Sequence, residues 1–240
     1  MITLRRAGHR HHERCKGQQT WRTFDPLDGT DLRAAAFGIL EGFNEHILPP
    51  GTVLPARPLG DAEILTYVQE GALAQEDSLG RSGVLQAGEC QRMTARRGVR
   101  HSSTNASRTD DAHVYQIWLR PSEAGLLQTY DQKRFSVADR RGALRIVASP
   151  DGQRDSLRIH PNALMYSVIL DPGQHIVHEL LARRSAWLHV VSGEIVLADV
   201  VLSRGDGIGV GGERAVSLTA REPCELLLLD LPTESQPALR

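Results

Sequence analysis

Ten histidines, three cysteines and several arginine pairs are the side chains of this 240-residue chain that could carry chemistry. His9, His11 and His12 crowd a polar N-terminal stretch, where a solvated surface cluster is expected in place of a catalytic set. His46 and His113 are isolated. His175 and His178 form a His-x-x-His pair after the Pro172-Gly173 turn, but no partner His or Glu pattern follows to complete a metal site. Cys15, Cys90 and Cys224 lie far apart, with no CxxC pair, and their odd number argues against a disulfide framework. Cys90 sits in Gly88-Glu-Cys-Gln-Arg92, where arginines would lower a thiol pKa, although strand alternation would bury it as a small hydrophobe. Cys15 lies in a polar stretch and is expected at the surface, so Cys15 and Cys90 are the candidate reactive thiols. The chain contains no Gly-x-Ser-x-Gly elbow, no HExxH and no phosphate loop; Gly205-Asp-Gly-Ile-Gly-Val-Gly-Gly212 lacks a strand-to-helix setting and reads as a turn.

Composition narrows the classes further. Apolar residues make up 40% and charged residues 24%, ordinary for a globular protein and unlike a disordered tail or a fibrous repeat. The formal charge of −1 gives no basic excess for direct nucleic-acid binding. The first ten residues carry charge with no apolar run behind them, so no secretory signal is expected, and no apolar window is long enough to cross a membrane. A cytoplasmic protein without nucleic-acid or membrane partners is the expectation.

The elements that must hold any site are short strands. Ile64–Val68, Val114–Leu119, Ala186–Val191, Glu194–Leu197 and Glu225–Asp230 are rich in β-branched or aromatic residues and bounded by Gly, Pro or Asp. Helical turns are expected only near Ser122–Leu127 and Glu179–Arg184. Three elements recur in the same order. Pro50-Gly51, Tyr67-Val-Gln-Glu-Gly71 and Leu85-Gln-Ala-Gly88-Glu89 match Pro172-Gly173, Val190-Val-Ser-Gly193-Glu194 and Leu202-Ser-Arg-Gly205-Asp206. The pattern predicts an all-β protein of two similar halves, divided within the charged stretch 132–141. Barrels that close their own edges predict a monomer.

Several segments resemble the pirin family of bicupins along nearly the whole chain. They include Asp61-Ala-Glu-Ile-Leu-Thr-Tyr-Val68, Gln75-Glu-Asp-Ser78, Gly98-Val-Arg-His-Ser102 with Asn105, Tyr115-Gln-Ile-Trp118 and Leu229-Asp-Leu-Pro232. The resemblance implies two tandem jelly-roll (cupin) barrels, here residues 1–132 and 133–240. It also implies a divalent metal such as iron, held in the first barrel by three His and one Glu, and a quercetin 2,3-dioxygenase activity in several members.

Carried over to this sequence, the family's metal-ligand positions fall on Arg57, Leu59, His101 and Ser103. Neither a guanidinium nor an alkyl chain offers a lone pair, and metal sites that do chemistry use at least three protein ligands. The expectation is therefore that no cofactor is bound. The chain would be a binding or regulatory module for a small anionic or aromatic ligand, and not a quercetinase. The alternatives are an oxygenase with other ligands and a cysteine-based redox sensor. Arg57 would need a charge partner, with Asp61, Glu63 and Arg97 as candidate pocket charges; an internal pair is preferred over a bound anion.

Overall fold

In the computed structural model, residues 2–25, 36–54, 61–78, 80–95, 101–123 and 125–233 are described. Each half is a jelly-roll barrel built from a seven-stranded and a four-stranded sheet. The large sheet of the first half runs Thr129–Arg134, Glu89–Ala95, Ala62–Glu70, Ala112–Leu119, Leu40–Leu48, Gln18–Phe24 and His11–Cys15. Its facing sheet runs Val53–Leu54, His101–Asn105, Ala72–Asp77 and Ser82–Gln86. In the second half the large sheet runs Ile2–Arg5, Gly207–Gly211, Arg184–Ser192, Cys224–Pro232, Leu164–Leu170, Arg145–Ser149 and Leu157–Arg158. The strands His175–Glu179, Ala215–Ala220, Glu194–Leu197 and Val200–Ser203 close it. Two departures from simple duplication stand out. The N-terminal strand Ile2–Arg5 pairs antiparallel with Gly207–Val210 of the second barrel. The strand Thr129–Arg134 spans the expected division at 132/133 and pairs wholly with Glu89–Thr94 of the first.

The repeated turn elements have a geometric cause. Gly71 and Gly193 each lead from the end of a long strand into the facing sheet, with φ of 75° and 76°. A Cβ at Gly71 would lie 2.6 Å from the Asp111 carbonyl oxygen, and one at Gly193 2.2 Å from that of Pro223. Left-handed backbone and close approach together restrict both positions to glycine. Helix is found elsewhere than expected. The single α-helical turn among the described residues, Val137–Arg140, is nucleated by a capping box in which Ser136 Oγ accepts from the Asp139 amide and the Asp139 carboxylate accepts from Ser136. Glu179 to Arg184 instead ends one strand and starts the next.

The two seven-stranded sheets pack against each other, and the faces turned away from their own barrels form one apolar cluster. Phe43, Leu65, Tyr67 and Tyr115 come from the first half, and Met165, Trp187, Leu227 and Leu229 from the second. The second barrel has its own continuous apolar interior, including Val168, Leu188, Val190, Ile195, Leu218 and Leu228. The first barrel's interior is split into two smaller clusters, one around Leu48, Val68, Leu73 and Val114 and one around Ile64, Met93 and Ala95.

Charged groups are sealed between the halves. Arg10 contacts the Glu45 carboxylate at 2.6 Å, and His113 Nε2 lies 2.8 Å from its other oxygen. Burial alone would raise the Glu45 carboxyl, but the His113 hydrogen bond and the Arg10 charge hold it well below the usual carboxylate range. Beside them His189 is fully buried against Phe43, with ring centroids 4.5 Å apart. Burial first, and the Arg10 charge second, push its pKa down to about 3, so the ring is neutral.

Two tests follow from these contacts. Gly193→Ala combines backbone strain with a steric clash and should cost at least about 2 kcal/mol, read from the urea unfolding midpoint. Gly51→Ala, at positive φ but with open space around it, should cost about half as much or less. Because the folded pKa of His189 lies below its unfolded value near 6.5, the unfolded chain takes up the proton first. The share of stability contributed by the neutral His189 is therefore full above about pH 6.5 and falls by about 1.4 kcal/mol per pH unit below it. His189→Phe should remove that share of the slope between pH 6.5 and 5; an unchanged slope would refute the assignment.

Candidate functional site

The split interior of the first barrel marks the site. In the strand Ala72–Asp77, Leu73, Gln75 and Asp77 alternate inward. The neighbouring strand sets His101 opposite Asp77 and Ser103 opposite Gln75. Across the barrel, Gln91 and Tyr130 complete a cavity of about 130 Å³ that opens at the exposed hairpin residues Arg81, Ser82 and Gly83. His101 and Tyr130 lie roughly parallel, with ring centroids 6.1 Å apart and an interplanar angle of 26°.

The electrostatics of the cavity are those of neutral, hydrogen-bonding groups beside carboxylates. Burial lowers the His101 pKa, against the opposing pull of Asp77, so the imidazole is neutral at pH 7. Its Nε2 lies 3.2 Å from Ser103 Oγ, and its Nδ1 is buried without a hydrogen-bond partner. Burial, then the bond to Asp77, raise the Tyr130 hydroxyl to about 12, and Gln128 Nε2 donates to its oxygen. Tyr130 therefore keeps its proton at physiological pH. Gln75 is buried, and both its amide oxygen and its amide nitrogen lack partners.

Of the candidate site residues that are described, His101 lines this cavity and Ser103 lies beside it, within hydrogen-bond distance of the imidazole. Arg57, Leu59 and Arg97 lie outside the described residues. Asp61 accepts a hydrogen bond from the Gly125 amide at 3.3 Å. The expectation that Glu63 serves as a pocket charge is corrected. Strand alternation puts it on the same face as Leu65 and Tyr67, against the second half, where Arg92 Nε lies 3.8 Å away. The reactive-thiol expectation for Cys90 is corrected too. The side chain packs in the cluster between the sheets, and burial pushes the thiol up to about 12 despite the Arg140 charge. Cys224 is also buried, with its thiol raised to about 11, while Cys15 is exposed. In the second barrel, His178 is satisfied by Asp230 at 2.9 Å and His175 by Thr219 at 2.9 Å. Among the described residues, no group of three or more His, Cys, Asp or Glu could hold a metal ion.

Comparison with known proteins decides the family. A family model described as Pirin matches residues 4–119, and one described as Quercetinase C-terminal cupin domain matches residues 146–231. This chain belongs to the pirin family. It is 36% identical over 232 residues to a quercetin 2,3-dioxygenase of Escherichia coli K12, covering 97% of this chain and 99% of that protein. A putative quercetin 2,3-dioxygenase of Pseudomonas aeruginosa is 33% identical over 227 residues, covering 94% and 96%. Among solved structures, the bacterial pirin YhhW of E. coli in complex with nickel(II) superposes with a TM-score of 0.91 at 36% identity, covering 98% of this chain and all of that one. YhaK of E. coli, at 24% identity and a TM-score of 0.75, shares the bicupin fold.

These findings overturn two expectations. The reading of a binding or regulatory module that is not a quercetinase rested on four positions. It gives way to likeness along the full length to a curated quercetin 2,3-dioxygenase. The expectation of no cofactor gives way to the nickel(II)-bound relative, which points to a metal. No helix among the described residues is long and apolar enough to cross a membrane.

The burial pattern predicts the thiol chemistry. Ellman's reagent should titrate one thiol in the native pirin, Cys15, and three after denaturation. Native labelling of Cys90 would contradict its place between the sheets.

Proposed function

We propose that this pirin is an oxygenase of the quercetin 2,3-dioxygenase type that takes a hydroxylated aromatic substrate into the first barrel. The observation that carries the reading is the 36% identity across 97% of the chain to the E. coli enzyme, with most of the cavity wall, from Gln75 to His101, inside the segment matched as Pirin and Tyr130 and Gln132 beyond it. Three unbridged thiols favour a reducing compartment, the cytoplasm.

A metal is the cofactor that the nickel-bound relative suggests, and the described residues do not by themselves make a site for it. They supply one imidazole, His101, with Ser103 two residues on, and no third His, Cys, Asp or Glu gathers there. This chain's residues contribute binding, orientation and a proton acceptor. With its proton on Nε2 and donated to Ser103 Oγ, His101 presents a lone pair at Nδ1, ready to take the proton of an acidic substrate hydroxyl. Tyr130 offers a ring face beside it, with its hydroxyl fixed by Asp77 and Gln128.

The test is dioxygen uptake with quercetin by untagged protein grown with added iron or nickel, alongside elemental analysis. Quercetin-dependent uptake that rises with bound metal is expected. His101→Ala should lower it by about 10²-fold. Absence of quercetin-dependent uptake in every metal-supplemented preparation would overturn the proposal.

A further inference from the structure

A band of polar side chains crosses the interior of the first barrel. Register aligns Asn44, Gln116, Thr66 and Gln91 across four neighbouring strands of the large sheet. The facing sheet contributes Gln75 beside Ser103. The band separates the two apolar clusters of the interior, so it replaces side chains that would otherwise join them into one core. Buried carboxamides nearly always find partners, yet both polar atoms of Gln75 and the Asn44 carbonyl oxygen have none. Of these, Gln75 lines the cavity, so its satisfaction is left to something that enters there.

Size, walls and charge limit what that is. The cavity of about 130 Å³ is close to the roughly 150 Å³ that accommodates benzene, so it takes one six-membered ring at a time. Tyr130 and His101 offer parallel faces for that ring. Two carboxylates, Asp77 and Glu76, line the same space against one guanidinium, Arg81, and this balance favours a neutral molecule over an anion. A carboxamide presents one acceptor and one donor side by side. We propose that Gln75 is the specificity-determining residue for a catechol, a ring with two adjacent hydroxyl groups: its oxygen accepts from one hydroxyl and its N–H donates to the other oxygen. The inference deepens the proposed function, on which it rests for the assignment of the cavity as the substrate site.

Binding of 4-methylcatechol and 4-methylphenol to the full-length chain, measured by calorimetry without dioxygen, tests it. The wild type should favour the catechol by about three- to tenfold, the worth of one hydrogen bond. Gln75→Leu should abolish that preference, and Gln75→Glu, which keeps an acceptor, should restore part of it. Gln75→Leu should melt no lower than the wild type, because it removes two unsatisfied buried polar atoms. A lower melting temperature, a preference that survives in Gln75→Leu, or equal binding of the two compounds by the wild type would overturn the assignment. Catechol preference without quercetin turnover would count against the proposed function alone; turnover without catechol preference would count against this inference alone.

Discussion

The contact between the two seven-stranded sheets is the constraint on which the rest of the structure depends. It buries the back of each large sheet, so the central strands are covered on both faces. That explains why Leu226, Leu227, Leu228 and Leu229 are consecutive leucines where a half-exposed strand would alternate. It also fixes the charged groups at the seam. Arg140 reaches Glu225 at 2.5 Å and the Tyr67 hydroxyl at 2.8 Å, joining a residue after the first barrel to strands of both. Removing one partner would leave a buried charge uncompensated, so a shift of one half against the other carries a penalty at this point.

With its large sheet fixed from behind, each barrel can do only one of two things with its interior. The second fills it with a single apolar cluster and closes its open end with Arg184, Asp230 and His178, which satisfy one another. The first leaves a gap between two apolar clusters and lines it with amides, a neutral imidazole and carboxylates. The same architecture thus supplies a structural half and a receptive half. The difference lies in a few inward-facing positions: the second barrel's interior is an apolar cluster, whereas the first buries Asn44, Thr66, Gln75 and Gln91.

Much of the framework is legible in the sequence because its causes are local. Strands with period-two patterning, glycines at left-handed turns and the repeated order of turns all act within a few residues, and the structure bears them out. The site is less legible because its causes are not local. Ala72–Asp77 alternates equally well with either face inward, so Gln75 and Asp77 become cavity residues only once the facing strand sets Ser103 and His101 opposite them. Glu63 misled for the same reason: its neighbours Ala62 and Ile64 face the barrel while it faces the second half. Tyr130 carries no sequence signal, since it sits in an exposed edge strand and gains its role from pairing with Met93.

The placement of Ile2–Arg5 ties the fold into a temporal order. Arg6 and Asp206, which fasten this strand at 2.7 Å, are 200 residues apart. A strand synthesised some 200 residues before its partner therefore waits, unpaired, until that partner has been made. The first barrel can assemble meanwhile, but the second cannot finish its sheet without a segment that preceded both. Until that segment returns, the strand Gly207–Gly211 is an open edge, available to the leading strand of another molecule as readily as to its own. Exchange of that one strand between two chains is the misassembly this topology invites, and the pairing of His11–Cys15 into the first barrel, which keeps the segment near its destination, works against it.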